Sequence, residues 1–309
     1  MPPDNLGGAM ERAVSFNSNG LKLSGALQVP AGAAPSVGRP GVILLHGFGS
    51  NKEAKWMHIA VRLLADWGYA TLRFDMRGCG ESEGERGRVI CLEQVEDAKA
   101  AVTYMQGVAG IDPQRVAVFG LSFGAAVAVY VAGVDPRIAA CISAGGWGNG
   151  EKKFQRQHEG PEAWKKFTDM MAEGRRRKAL GEQMMVPRFD IVPIPQHMRA
   201  NLSKGSHQEF PFDVVESMYT FMANDVVGRI APRPLLLMHP SEDTVTPTEQ
   251  SVELFQRAGQ PTDLFLVSNT DHFILYEGNA QVIELLRLWF ERNFPVQPGP
   301  KPEKVNAPE

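Results

Sequence analysis

AVFGLSFGAAVAVYVA, residues 117–132, sets a single hydroxyl, Ser122, between Gly120 and Gly124 and follows it with a run of small and apolar residues. The part before the serine closes RVAVFG (115–120), a run of strand composition, and the part after it, FGAAVAVYVAG (123–133), reads as a helix. A strand that becomes a helix within so few residues must turn sharply. The residue at the apex is then strained and leaves no space for large neighbours, and the two glycines supply that space. The serine oxygen is expected to stand exposed above the sheet, with the following helix's N-terminus favouring developing negative charge.

The same strand-then-helix rhythm extends in both directions. GVILLHG (41–47) is a continuous apolar run, as expected of a strand buried on both faces. KEAKWMHIAVRLLADWG (52–68) has apolar residues at helical spacing and ends in Gly68, and YATLRFDMRG (69–78) returns to strand composition. LEQVEDAKAAVTYMQ (92–106) reads as a helix and RIAACISAGG (137–146) as a strand. PLLLMHP (234–240), PTEQSVELFQRAG (247–259), TDLFLVS (262–268) and AQVIELLRLWFERNF (280–294) alternate strand and helix again. Such alternation predicts an α/β protein with a mostly parallel central sheet and helices on both faces. AVSFNSNGLKLSGALQV (13–29) differs: two alternating runs around an Asn-Gly turn signal predict an antiparallel hairpin at one sheet edge.

Between about Trp147 and Asp225 the rhythm breaks, and the segment is richer in Lys, Arg, Met, Pro and aromatic residues. A long non-conforming stretch inside a compact domain reads as a lid or functional insertion. Within it AWKKFTDMMAEGRRRKAL (163–180) is partly helical and VVESMYTFMANDVVGRIA (214–231) more firmly so. The expected organisation is a flexible start (1–12), a first core part (13–146), an inserted cap (147–225), a second core part (226–295) and a disordered, proline-rich tail (296–309).

With 309 residues, 43% of them hydrophobic and 22% charged, the composition is that of a soluble globular protein. A net charge of -3 gives no reason to expect nucleic acid or an acidic membrane surface as partner. Cys79, Cys91 and Cys141 are too few and too scattered for a disulfide framework or a metal site. The N-terminus lacks a signal-peptide pattern, and no apolar run reaches the roughly 18 residues of a membrane span. The expectation is a cytoplasmic protein, with a homo-oligomer left open.

A serine hydroxyl needs a base to take its proton, and the base is usually a histidine oriented by a carboxylate. On a strand-turn-helix of the G-x-S-x-G type the chain order is serine, acid, histidine. His272, in NTDHF after TDLFLVS, sits where that base belongs, whereas His46, His58, His158, His197, His207 and His239 come too early. The acid belongs in the loop after PLLLMHP, where Asp243, shortly before Val-Thr-Pro, is preferred to Glu242. Asp271 reads as a turn residue. An oxyanion needs two backbone N–H donors: Phe123, just after the nucleophile, and Phe48, in the HGFG turn after GVILLHG. Asp75 and Arg77 in RFDMRGCGESEG read as structural. Trp147, Met184 and Met185, with Met170 and Met171, either line an acyl pocket or form the core of the lid. GRRRK (174–178) reads most simply as a solvated helix face, with attraction of an anionic substrate as the alternative.

Taken together, HGFGSNKE, DMRGCGES, GLSFGA, SEDTVTP and TDHF, in that order, resemble the α/β-hydrolase superfamily over roughly residues 12 to 295 apart from the insertion. The first two motifs look like those of cinnamoyl and feruloyl esterases, of dienelactone-hydrolase-like and of X-Pro-peptidase-like proteins. The resemblance implies an α/β-hydrolase fold with an inserted cap and a serine hydrolase acting on a carboxylic ester or related acyl bond of a small molecule. Ser122, His272 and Asp243 would form the triad, with Phe48 and Phe123 as oxyanion donors and no metal or organic cofactor. An amidase or peptidase, an acyltransferase and, less favoured, a non-catalytic ligand receptor are the alternatives on the same fold.

Overall fold

The computed structural model describes residues 10–32 and 34–297. Strands β1 (Met10–Ser18) and β2 (Leu21–Val29) form the edge hairpin, and Asn19 and Gly20 turn it with φ of 49° and 86°. Two residues with positive φ between paired strands are the twist-matched hairpin turn. The hairpin ladder begins at Met10, which pairs with Val29, and Arg73 binds Glu11 at 2.9 Å. Residues 10–12 are therefore strand, not the flexible start expected for 1–12. The rest of that stretch and the tail from 298 onward lie outside the described residues.

After β3 (Arg39–Leu45) come α1 (Lys55–Asp66), β4 (Ala70–Phe74), α2 (Cys91–Gln106), β5 (Ile111–Leu121), α3 (Phe123–Val134) and β6 (Ile138–Ala144). The insertion holds α4 (Gly150–Gln157), α5 (Pro161–Ala179), β7 (Met185–Pro187), α6 (Arg188–Ile191), β8 (Glu209–Pro211) and α7 (Phe212–Thr220). The chain then returns through β9 (Leu235–Pro240), α8 (Glu249–Arg257), β10 (Thr262–Val267) and α9 (Ala280–Asn293). The main sheet has eight strands in the order β1-β2-β4-β3-β5-β6-β9-β10. It is antiparallel at β1, β2 and β4 and parallel from β4 to β10. This is the α/β-hydrolase fold, and none of the helices among the described residues is long and apolar enough to cross a membrane.

All seven residues of β3 are buried, and their side chains serve two cores by the period-2 rule. Val42 and Leu44 pack with Phe119, Leu121, α1 and α9 on one face; Ile43 and Leu45 pack with Val116, Val118, α2 and α3 on the other. Each such leucine or valine contributes about 1.5–3 kcal/mol by leaving water. The second face also carries the insertion: Phe154, Phe167, Val186, Phe210 and Met218 belong to its core.

The insertion leaves the sheet at Ala144 and rejoins it at Leu235, and β7 pairs antiparallel with β8 in a small sheet of its own. The sequence gives no alternation long enough to announce strands of three residues. The expected helix over 214–231 stops at Thr220 and continues as 3₁₀ turns, because this segment docks on α3. Phe221 stacks on Tyr130 at 4.9 Å, and Gly133 lies so close to Val226 that a Cβ there would come within 2.5 Å of the Val226 carbonyl oxygen.

Candidate active site

One residue, Ser122, separates β5 from α3, and it adopts φ 59° and ψ -118°. Holding a serine there costs of order 1–3 kcal/mol, so the surroundings must enforce it. They do so through backbone contact. A Cβ on Gly120 would sit 2.0 Å from the Gly124 carbonyl oxygen, and one on Gly124 would sit 2.0 Å from that of Leu45. The Ser122 N–H donates to the Ala144 carbonyl at 2.8 Å, which ties the turn to β6.

The loops after β9 and β10 bring the two other expected side chains to this serine. Ser122 Oγ lies 2.8 Å from His272 Nε2, and His272 Nδ1 lies 2.8 Å from Asp243 Oδ2. These partners put the imidazole proton on Nδ1, donating to the carboxylate, and leave Nε2 to accept from the hydroxyl. Asp243 is fixed in turn, since its Oδ1 accepts from the Val245 and Thr246 amides at 2.8 and 2.7 Å. Burial pushes the Asp243 carboxyl up, but His272 and His239 beside it outweigh burial and hold it well below the usual range. Glu242, next to it, is exposed and takes no part.

Two residues do more here than the sequence suggested. Asp271 binds the Thr244 amide and hydroxyl at 2.9 and 2.8 Å and the His272 amide at 2.7 Å. It fastens the histidine loop to the aspartate loop rather than only turning the chain. His239, fully buried, lies 3.3 Å from Asp243 through Nε2, which donates to the Thr246 carbonyl at 2.9 Å, while Nδ1 accepts from Ser251.

The HGFG turn lies against the serine: a Cβ on Gly47 would be 3.9 Å from the Ser122 Cβ. His46 anchors it, donating from Nδ1 to the Gly47 carbonyl and accepting at Nε2 from the Met76 amide, and burial lowers its pKa. On the other side Phe123 opens α3, where an amide has no partner inside the helix. Arg188, absent from the sequence reading, secures the turn from the insertion. Its Nη2 donates to the Phe48 carbonyl at 2.7 Å, and its Nε to the His207 carbonyl at 2.7 Å. The guanidinium lies over the Phe48 and Phe210 rings, 5.2 and 5.4 Å from their centroids, and burial pushes its pKa down to about 10. One arginine in a short, proline-punctuated apolar run carries no periodic signal that would mark it beforehand.

Ser122 and His272 open on a cavity of about 920 Å³. The insertion walls it with Trp147, Lys153, Val192, Ile194, Met198 and Met218. Trp147 lines the cavity, whereas Met184 and Met185, named with it for the pocket, do not. Val186, the middle residue of β7, turns inward and is buried; Met185 then faces out at 43% exposure, and Met184 packs beside Phe212 away from the cavity. Met170 and Met171 likewise pack in or against the core rather than on the cavity. The GRRRK face is exposed and pairs with Glu173, Asp213 and Glu216. Asp75 is buried under Lys52, and Arg77 grips Asp97, as structural roles require.

Among the described residues no cluster of three His, Cys, Asp or Glu could hold a metal ion. The three cysteines are buried, which pushes all three thiols up, Cys91 to about 12. They are not rival nucleophiles.

Residues 38–279 match the family described as serine aminopeptidase, S33. Thiohydrolase aneE of Aspergillus aculeatus is 26% identical over 309 aligned residues, covering 91% of this chain and 92% of its own length. Acyltransferase drtE of Aspergillus calidoustus is 28% identical over 251 residues, covering 75% and 79%. Of solved structures, the α/β hydrolase GrgF from Penicillium superposes with a TM-score of 0.74 at 22% identity, covering 92% of this chain and 99% of its own.

Proposed function

This chain belongs to the family described as serine aminopeptidase, S33, within the α/β-hydrolase superfamily, and from that membership we propose that it is a serine hydrolase of carboxylic esters or thioesters working through an acyl-enzyme. The observation that carries this reading is the continuous hydrogen-bonded line from Ser122 Oγ through His272 to the buried Asp243, opening on an apolar-walled cavity. Ser122 Oγ attacks the acyl carbon while His272 Nε2 takes its proton, and Asp243 steadies the imidazolium that results. The Phe48 and Phe123 amides hold the oxyanion, and His272 returns the proton to the leaving group. Water, deprotonated by His272, then cleaves the acyl-serine and restores the hydroxyl.

An aminopeptidase would have to meet a substrate ammonium. Of the cavity's carboxylates, Asp271 is held by Thr244 and Glu277 pairs with Arg62 at the exposed side, whereas the wall added by the insertion carries the cations Lys153 and Arg188, which favours the ester over the peptide. Transfer of the acyl group to an acceptor other than water is the second reading, favoured by the similarity to acyltransferase drtE.

The test is a fluorophosphonate probe and a panel of p-nitrophenyl esters. The probe should label Ser122, and Ser122→Ala should abolish labelling and lower ester turnover by several powers of ten, roughly 10³–10⁶. A folded Ser122→Ala protein with wild-type turnover would sink the assignment. An added alcohol or amine that diverts the acyl group from acid to conjugate would select the transferase reading.

A further inference from the structure

Lys153 reaches the cavity from α4 as a buried side chain whose Nζ has no hydrogen-bond partner. It is 1% exposed, and its Nζ stands 3.9 Å from the Phe154 ring centroid and 4.7 Å from that of Trp147. The aromatic faces support a cation there but offer no acceptor to its three N–H groups. The Trp147 indole N–H, beside it, is also buried without a partner. The titratable groups that act on it are the Cys91 thiol of α2 and His158, which follows the last residue of α4, neither of which is a carboxylate. A methionine would fill the same space without burying a charge, so stability does not account for a lysine at this place.

Position supplies the account. Phe123, adjacent to Ser122, meets Trp147 edge-on with ring centroids 5.6 Å apart, and Trp147 meets Lys153 in turn. The amine thus stands along the cavity wall, removed from the nucleophile by two aromatic rings. We propose that Lys153 is the terminal recognition group of the acyl pocket and selects acyl chains that end in a carboxylate. This rests on the serine-hydrolase reading above. A carboxylate offers several acceptor sites to the unpaired N–H groups and neutralises the buried charge; a methyl-terminated chain leaves both unmet. Burial pushes the free amine down to about 7, so near neutral pH it is only partly protonated and an entering carboxylate draws it to the charged form by pairing with it.

The experiment compares p-nitrophenyl esters of straight-chain monoacids with the mono-p-nitrophenyl esters of diacids of equal length, in the hexanoate and adipate series and longer. At the length that spans the pocket, the wild-type enzyme should favour the diacid monoester roughly ten- to a hundredfold in kcat/KM, carried mainly by KM. Lys153→Met should reduce that ratio to one or less, and Lys153→Arg should restore part of it. Wild-type protein that is labelled at Ser122 yet shows no preference at any length overturns the Lys153 subsite and leaves the hydrolase standing. Absence of both labelling and ester turnover takes down the hydrolase reading and the subsite with it. Should the variants fail to fold, protection of wild-type Ser122 from the probe decides: the half-amide of adipate should protect at lower concentration than hexanamide, and equal protection overturns the proposal.

Discussion

Arg188 binds backbone oxygens rather than carboxylates, and this makes its contribution one of shape. Its donors hold the Phe48 and His207 carbonyls, so the turn that offers the Phe48 amide is fixed from behind. Misplacing a reacting group by about 1 Å costs on the order of 10²-fold in rate, and a turn freed on one side drifts by such amounts. Arg188→Met should therefore lower kcat by roughly that factor while KM moves little, and Arg188→Lys should recover part of the loss, since one ammonium reaches one carbonyl. Steady-state kinetics alongside circular dichroism checks this; an unchanged kcat in folded Arg188→Met would show that the turn holds itself. At Ser122 the matching constraint comes from close backbone approach, where Gly120 and Gly124 admit no side chain.

Elements of the insertion wall the cavity. Trp147 precedes α4, Met198 sits in the 3₁₀ turn Gln196–Asn201, and Met218 lies on α7, so three separate pieces of chain furnish one wall. Trp147→Ala and Met198→Ala should each shift the chain-length optimum of ester hydrolysis toward longer acyl groups by enlarging that wall, whereas Met185→Ala should leave the profile in place. A profile of kcat/KM against chain length reads the outcome, and an identical optimum in all three variants would remove the insertion from specificity. The contrast also marks what the sequence could disclose. Ser122, Asp243 and His272 were legible because each lies at the carboxyl end of a strand recognisable by composition, in an order that the turn type dictates. Met184 and Met185 were misplaced because β7 and β8 have three residues each, too few for alternation to show which side faces in. Lys153 and Arg188 were invisible for another reason. Lys153 stands in a polar, helix-forming stretch that reads as solvated, and Arg188 in a short apolar, proline-punctuated run without periodicity; only the packing of Phe154 against the one and of Phe48 and Phe210 against the other buries them.

The whole molecule bears the cost of its buried amine. A lysine titrates near 10.4 when unfolded and Lys153 near 7 when folded, so between these values the unfolded chain holds the extra proton. Stability from this group is therefore complete above about pH 10 and lost as pH falls through about 7. Lys153→Met removes the group, so its Tm should exceed that of the wild type most at pH 6, and the gap should narrow toward pH 9.5. Calorimetry at the two pH values checks this, and a gap that does not change with pH would mean the amine escapes to water. The two cores share one sheet, and the second continues without a break into the insertion, so unfolding should expose both together. Evolution and protein engineering both meet the result. A foreign insertion grafted between β6 and β9 would import a new pocket and discard the guanidinium that braces the Phe48 turn, so recombination here changes selectivity and rate at one stroke. A chimera built without an equivalent brace should bind its new acyl group and turn it over slowly.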